Sequence, residues 1–210
     1  MVMNSTNYKL SELFILFIVF PIIITIDFPI WIKLIMGSLG FFYVTYLLLK
    51  VEHMQIKIKT TIKWKSFWIS TLLKFLFIVI VTVLYVWLTD KIQLFNVVKS
   101  KPLLWVVILF VYSIFSVYPQ EIIYRTFFFK RYRSLIRNEY VFIFINALVF
   151  SLGHIFFSNF LVMILTFFGG LLFAFTFSKT KSTVLVSIEH AIYGCWLFTV
   201  GMGSMLGFPS

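Results

Sequence analysis

The sequence is poor in charge, and above all in acidic residues. Of its 210 residues only 12% are charged and seven are Asp or Glu, whereas 61% are hydrophobic and 21% are aromatic. A water-soluble globular domain is typically about 25% charged. The scarcity of charge therefore excludes an ordinary soluble domain and predicts an integral membrane protein.

Cysteine and the common short catalytic motifs are also scarce. The only cysteine is Cys195, which excludes an intramolecular disulfide. The sequence contains no H-E-x-x-H and no G-x-S-x-G, so neither the zinc-protease helix nor the serine-hydrolase turn is present. No small-residue cleavage site follows the apolar run at 13–26, which predicts an uncleaved first span rather than a signal peptide.

Basic residues are abundant by comparison. Eighteen Lys and Arg give a net charge of +11, a balance that can indicate nucleic-acid binding. Here the cations lie mostly between apolar runs, as expected of residues that flank spans at a membrane surface. We therefore expect the lipid bilayer as a partner and no nucleic acid.

Seven apolar runs approach or exceed the roughly 20 residues that a spanning helix needs. The predicted fold class is accordingly an all-α, polytopic transmembrane helical bundle with seven spans. An eighth forms if the fourth run breaks at Pro119, because proline cannot donate to the helical ladder. The predicted spans are 10–27, 29–49, 67–89, 102–129, 139–157, 159–178 and 183–203.

The distribution of Lys and Arg predicts the orientation of these spans. The loops 50–65 and 130–137 and the turn 179–181 fall on one side if the N-terminus is cytoplasmic, and 90–101 is the one violation. We expect a cytoplasmic N-terminus and an external C-terminus, in a bacterial cytoplasmic membrane. The cations of the three loops are Lys50, Lys57, Lys59, Lys63, Lys65, Lys130, Arg131, Arg133, Arg137, Lys179 and Lys181.

Ionisable groups within the spans divide the chain into two halves. Before residue 100 they are nearly absent, apart from Lys33 and Lys74 near predicted span ends, where a long stem can reach the surface. We therefore predict an accessory N-terminal half, 1–100, and a functional C-terminal half, 101–210. The polar groups of the second half are Gln120, Glu121, Arg125, Asn146, His154, Glu189 and His190.

Each of these groups has an ordinary structural interpretation when taken alone. Glu121 and Arg125 are spaced to form an ion pair on one helix face, and a lone histidine is usually a hydrogen-bonded core residue. Together, two glutamates and two histidines on three apolar helices indicate a site or a water-filled cavity. A glutamate can take a proton from water, while imidazoles orient the water, bind a divalent metal such as zinc or stabilise an oxyanion. This set suits hydrolysis inside a membrane, with proton or ion transport as the main alternative.

Three motifs in order carry a family resemblance. They are Q-E-I-I-Y-R at Gln120–Arg125, F-S-L-G-H at Phe150–His154 and H-A-I-Y-G at His190–Gly194. They resemble the pattern E-E-x-x-x-R, F-x-x-x-H and H-x-x-x-N of the CAAX-protease and bacteriocin-processing family of intramembrane endopeptidases. That family is related to the prenyl-protein type II CAAX endopeptidase.

The resemblance implies cleavage of a peptide bond in a peptide or membrane-protein substrate by glutamate-activated water, inside a helical bundle. By this resemblance the catalytic residues are Glu121, His154 and His190. If a metal takes part, His154 and His190 are its expected ligands; otherwise no cofactor is implied. The supporting residues are Gln120, Arg125, Glu189 and Phe150.

Two positions depart from the family pattern. Gln120 replaces its first glutamate, and Gly194 replaces its asparagine. Because an amide cannot accept a proton as a carboxylate does, we expect Glu121 to be the base, with Glu189 orienting a histidine or taking part in proton transfer. The alternative is a silent relative that acts as a scaffold or regulator in peptide export or immunity. A proton-coupled transporter is less favoured, since we find no related halves with paired broken helices.

Overall fold

The computed structural model describes residues 2–53 and 63–207, and every regular element in that part of the chain is helical. Seven helical segments are long and apolar enough to cross a bilayer; they comprise every helix below except α4, and the segment that begins with α6 runs on through a short 3₁₀ turn to Phe157. The chain is therefore an all-α integral membrane protein, as predicted. The helices are α1 (Thr6–Ile24), α2 (Ile30–Val51), α3 (Trp64–Thr89), α4 (Asn96–Ser100), α5 (Pro102–Tyr132), α6 (Glu139–Leu152), α7 (Phe160–Thr180) and α8 (Thr183–Val200).

Polar caps determine where several of these helices begin. Ser5 caps α1 by accepting a hydrogen bond from the backbone N–H of Tyr8. The side-chain oxygen of Asn138 accepts from two backbone amides at the start of α6, and Asn159 does the same for α7. Such caps satisfy amides that have no partner inside the helix. The seven spans agree with those predicted, and their ends shift by a few residues.

Helix α5 runs through Pro119 without ending. Its turns are π-helical on both sides of the proline, at Tyr112–Val117 and at Ile122–Phe127. A proline ring clashes with the carbonyl four residues earlier in a regular α-helix, and a wider π turn displaces that carbonyl. The break that would have produced an eighth span therefore does not occur.

The first of two compact units contains residues 2–53 and 120–181, and hence α1, α2, the C-terminal part of α5, α6 and α7. Helices α6 and α7 approach closely, because a Cβ on Gly170 would lie only 3.1 Å from the Cα of Ala147. The hydroxyl of Ser151 donates to the carbonyl of Met163 at 2.7 Å. Small side chains thus permit close helix packing here.

A buried ionic network also belongs to this unit. The guanidinium of Arg131 donates to Glu12 at 2.8 and 3.1 Å and to Glu52 at 2.9 Å. The hydroxyl of Tyr132 donates to the same Glu12 carboxylate at 2.8 Å. Both Arg131 and Tyr132 are fully buried. Paired charges of this kind compensate one another away from water.

This network corrects two expectations. Arg131 was expected in a surface loop, but α5 continues to Tyr132 and carries Arg131 into the interior. The first spans were expected to hold almost no ionisable groups, yet Glu12 lies buried on α1. The burial of Arg131 could not be predicted, because the sequence does not show the distant partner that makes it tolerable. Glu12, by contrast, already lies within the predicted span 10–27, and the expectation did not account for it.

The second compact unit contains residues 63–119 and 182–207, and hence α3, α4, the N-terminal part of α5 and α8. The indole N–H of Trp196 donates to the Thr82 hydroxyl at 2.8 Å, so this aromatic side chain on α8 has a polar partner on α3. Helix α8 ends at Gly201, whose φ of +110° favours glycine. A Cβ at Gly201 would also overlap the carbonyl of Gln93. The chain therefore turns at Gly201.

Each unit draws residues from both sides of residue 100. The predicted division at residue 100, into an accessory and a functional half, is a statement about activity. The compact units do not test it, and it stays a prediction. The cytoplasmic location of the N-terminus stays a prediction as well. Two of the lysines on which it rests, Lys57 and Lys59, lie outside the described residues.

Candidate active site

In the first unit, α5 places Glu121 and Arg125 one helical turn apart. Glu121 Oε2 lies 3.4 Å from Nε of Arg125, and both side chains are fully buried. The expected contact between positions i and i+4 is therefore made. Because both partners are buried, losing one of them lowers stability more than the loss of a surface ion pair does. The remaining charge is then buried without compensation.

Arg125 is held from three other directions as well. Its Nη1 donates to Asn146 Oδ1 on α6 at 2.8 Å, and its Nη2 donates to the carbonyl of Gly170 on α7 at 3.4 Å. The guanidinium lies 4.7 Å from the centroid of the Phe150 ring, a distance at which cation and ring attract. These contacts fix the guanidinium, and with it the position of the Glu121 carboxylate.

His154 lies just beyond the end of α6, in a turn between Leu152 and Ile155. Its Nδ1 lies 2.8 Å from the carbonyl oxygen of Phe150. Because a carbonyl can only accept a hydrogen bond, Nδ1 carries the proton. In the neutral imidazole Nε2 is then the acceptor nitrogen. The F-x-x-x-H spacing thus sets both the orientation and the tautomer of His154.

In the second unit, α8 carries His190, which is buried. Its Nε2 lies 3.2 Å from the hydroxyl of Tyr112 on α5. The two rings meet edge to face, with centroids 6.1 Å apart. The phenol is thus a partner of His190 that the sequence did not suggest.

Glu189 precedes His190 on α8, and its Oε1 has two partners. Lys74 Nζ lies 2.5 Å from Glu189 Oε1, and the Tyr193 hydroxyl donates to the same oxygen at 2.9 Å. Lys74 was expected to extend to the membrane surface, and that expectation was wrong. Its ammonium instead compensates a carboxylate that is fully buried.

The predicted site residues therefore fall into two groups. The structure brings Glu121, Arg125 and Phe150 together in one unit. His154 belongs to the same unit and donates a hydrogen bond to the Phe150 carbonyl. It places Glu189 and His190 in the other unit. Gln120 precedes Glu121 on α5 and is partly buried.

A metal ion was one expectation for His154 and His190. Within residues 2–53 and 63–207, no three or more His, Cys, Asp or Glu side chains are grouped to hold a metal. Zinc sites in proteins use three or four protein ligands. The side chains present therefore do not fit such a metal, and a role for one is not supported.

Comparison with known proteins adds one match. Residues 102–196, just under half of the chain, match the family described as type II CAAX prenyl endopeptidase, Rce1-like. No curated protein and no solved structure matches the chain. All three motifs lie inside the matched segment, so the resemblance noted from them is confirmed.

Proposed function

We propose that this chain, whose residues 102–196 match the Rce1-like type II CAAX prenyl endopeptidase family, is an intramembrane endopeptidase. Its substrate is a peptide or a segment of a membrane protein, because the residues assigned to catalysis lie on or next to membrane-spanning helices. The observation that carries the proposal is the fully buried Glu121, a carboxylate inside the matched segment. We also propose that the membrane is bacterial and that the N-terminus is cytoplasmic, the latter from the Lys and Arg distribution.

In the proposed reaction, Glu121 takes a proton from water while the water oxygen bonds to the carbonyl carbon of the substrate peptide. His154 accepts a hydrogen bond from this water through Nε2, the nitrogen left free of a proton by the contact with Phe150. By the family resemblance, His190 is assigned to stabilise the oxyanion that forms, through one of its ring N–H groups. When the C–N bond breaks, the proton held by Glu121 passes to the leaving amine.

The supporting residues hold these groups in place. Arg125 balances the charge of Glu121 and anchors its position through Asn146 and Gly170. Glu189, paired with Lys74, is assigned to proton transfer or to the orientation of a histidine.

The histidines provide a direct test of this assignment. Purified protein in detergent micelles is incubated with a proteome-derived peptide library, and new peptide ends are detected by mass spectrometry. We expect His154→Ala and His190→Ala to lower cleavage at least about a hundredfold, the usual contribution of a catalytic acid or base. His53→Ala is the matched control, because the third histidine of the chain is exposed and lies outside the matched segment. Cleavage at the wild-type rate by both variants would show that the assignment is wrong.

The second candidate function is that of a silent scaffold or regulator, which the residues Gln120 and Gly194 favour. The substitution Gln120→Glu separates the two candidates, because it restores the first glutamate of the family motif. If Glu121 is the base, wild type cleaves and Gln120→Glu changes the rate by less than about tenfold, far below the contribution of a general base. An inert wild type with an active Gln120→Glu variant would support the silent function instead.

A further inference from the structure

Gly194 lies inside α8, one turn after His190. Glycine in a helix interior is unfavourable relative to alanine, so its presence there calls for a reason. A Cβ built at Gly194 would overlap the hydroxyl and ring atoms of Tyr112. The glycine therefore makes room for the phenol, and no side chain fits at 194 while Tyr112 keeps its position.

The phenol uses this room to reach His190. Its hydroxyl lies 3.2 Å from His190 Nε2, within hydrogen-bonding distance. The Tyr112 ring is fixed by an edge-to-face contact with Phe198, with centroids 4.8 Å apart. The ring is thus supported by packing, and its hydroxyl is directed at the imidazole.

The Tyr112 hydroxyl lies next to His190, where a side chain at position 194 would otherwise lie. Residues four apart on a helix are neighbours on one face, so a polar side chain at 194 would lie beside the imidazole. A phenol hydroxyl, like an amide, both donates and accepts hydrogen bonds. It can therefore supply from α5 the hydrogen bond that α8 cannot supply from Gly194.

We propose that Tyr112 is a positioning residue for His190, and that its hydroxyl takes the place of the polar side chain missing at 194. What His190 then does in catalysis rests on the proposed function, whereas the hydrogen bond itself does not. The competing interpretation is that Tyr112 serves only to pack the interior. Tyr112→Phe separates the two, because it removes the hydroxyl and retains the ring.

The first test does not depend on activity. The chain has three histidines, so ¹⁵N-labelled imidazole resonances can be assigned in micelles from single histidine variants. We expect Tyr112→Phe to shift the Nε2 resonance of His190, and Tyr85→Phe, a control at an exposed tyrosine of the same unit, to leave it unchanged. An unchanged His190 resonance in Tyr112→Phe would overturn the proposal, whether or not the protein cleaves peptides.

The second test is kinetic. Loss of one hydrogen bond of about 1.4 kcal/mol corresponds to a tenfold loss of rate, so Tyr112→Phe should lower kcat about tenfold and leave KM nearly unchanged. Combined with His190→Ala it should cause little further loss, since the two residues act together. A wild-type kcat in Tyr112→Phe, or losses that add fully in the double variant, would overturn the positioning role. An inert wild type would instead contradict the proposed function, and the imidazole resonance would then decide the present proposal alone.

The third test exchanges the two residues. Gly194→Asn alone should displace Tyr112 and lower cleavage, whereas Tyr112→Ala with Gly194→Asn should recover at least about tenfold over Gly194→Asn, the equivalent of one hydrogen bond. Thermal unfolding of each variant shows whether it folds. A folded double variant no more active than Gly194→Asn would overturn the claim that the phenol takes the place of a side chain at 194.

Discussion

Glu121→Gln is expected to lower peptide cleavage by at least about a hundredfold, the lower end of the range for removal of a general base. The substitution keeps the size of the side chain, but an amide cannot accept the proton of the attacking water. Arg125 keeps its hydrogen bonds to Asn146 and Gly170 but loses its buried counter-charge, so the variant should be less stable and its folding is checked directly. The measurement is kcat on a peptide identified from the library, with thermal unfolding in the same detergent.

Two controls accompany this variant. Glu121→Asp retains a carboxylate that is displaced by one methylene, and it should cleave faster than Glu121→Gln. Asp27→Asn removes an exposed carboxylate between α1 and α2, and it should cleave at the wild-type rate. If Glu121→Gln is folded and cleaves like wild type, the base is another group and the buried pair with Arg125 is structural.

Arg131→Ala should give the largest loss of stability, about 3 to 5 kcal/mol in the free energy of unfolding, as expected when one partner of a buried ion pair is removed. The variant leaves Glu12 buried without its cation, and Glu52 loses a partner at 2.9 Å. Unfolding in detergent micelles, followed by circular dichroism, measures the change. The variant is compared directly with Arg137→Ala, in which an exposed cation is removed.

The matched variant Arg137→Ala is expected to change stability by less than about 0.5 kcal/mol, as for most surface substitutions. Arg131→Met combined with Glu12→Gln should recover part of the loss, because both members of the main ion pair become neutral. Equal effects of Arg131→Ala and Arg137→Ala would show that the network contributes little to stability.

Sequence reasoning succeeded where the relevant interactions are local. The seven spans follow from apolar runs, and Glu121 and Arg125 meet because one helical turn brings positions i and i+4 together. It failed where the partner is distant along the chain. Arg131 lies 119 residues from Glu12, and Lys74 lies 115 residues from Glu189. No periodicity in a single sequence connects such positions.

The candidate site shows the same limit. The F-x-x-x-H spacing indicated that His154 matters, but its tautomer depends on where α6 ends, and helix ends are the least reliable part of a prediction. Tyr112 lies 78 residues from His190 and belongs to no motif. The signal that was available was Gly194, since a glycine inside a helix often marks the close approach of another group.

The pairing of Glu12 with Arg131 has a consequence for biosynthesis. Ribosomes add about 5 to 20 residues per second, so the 119 residues that separate the two take roughly 6 to 24 s to make. During that interval α1 carries a carboxylate whose cation has not yet been synthesised. A charged residue at the centre of a spanning helix costs about 2.5 to 3.5 kcal/mol on insertion scales, and Glu12, the seventh of the 19 residues of α1, costs less than that. The first helix thus acquires its full stability in the bilayer only when the end of α5 leaves the ribosome.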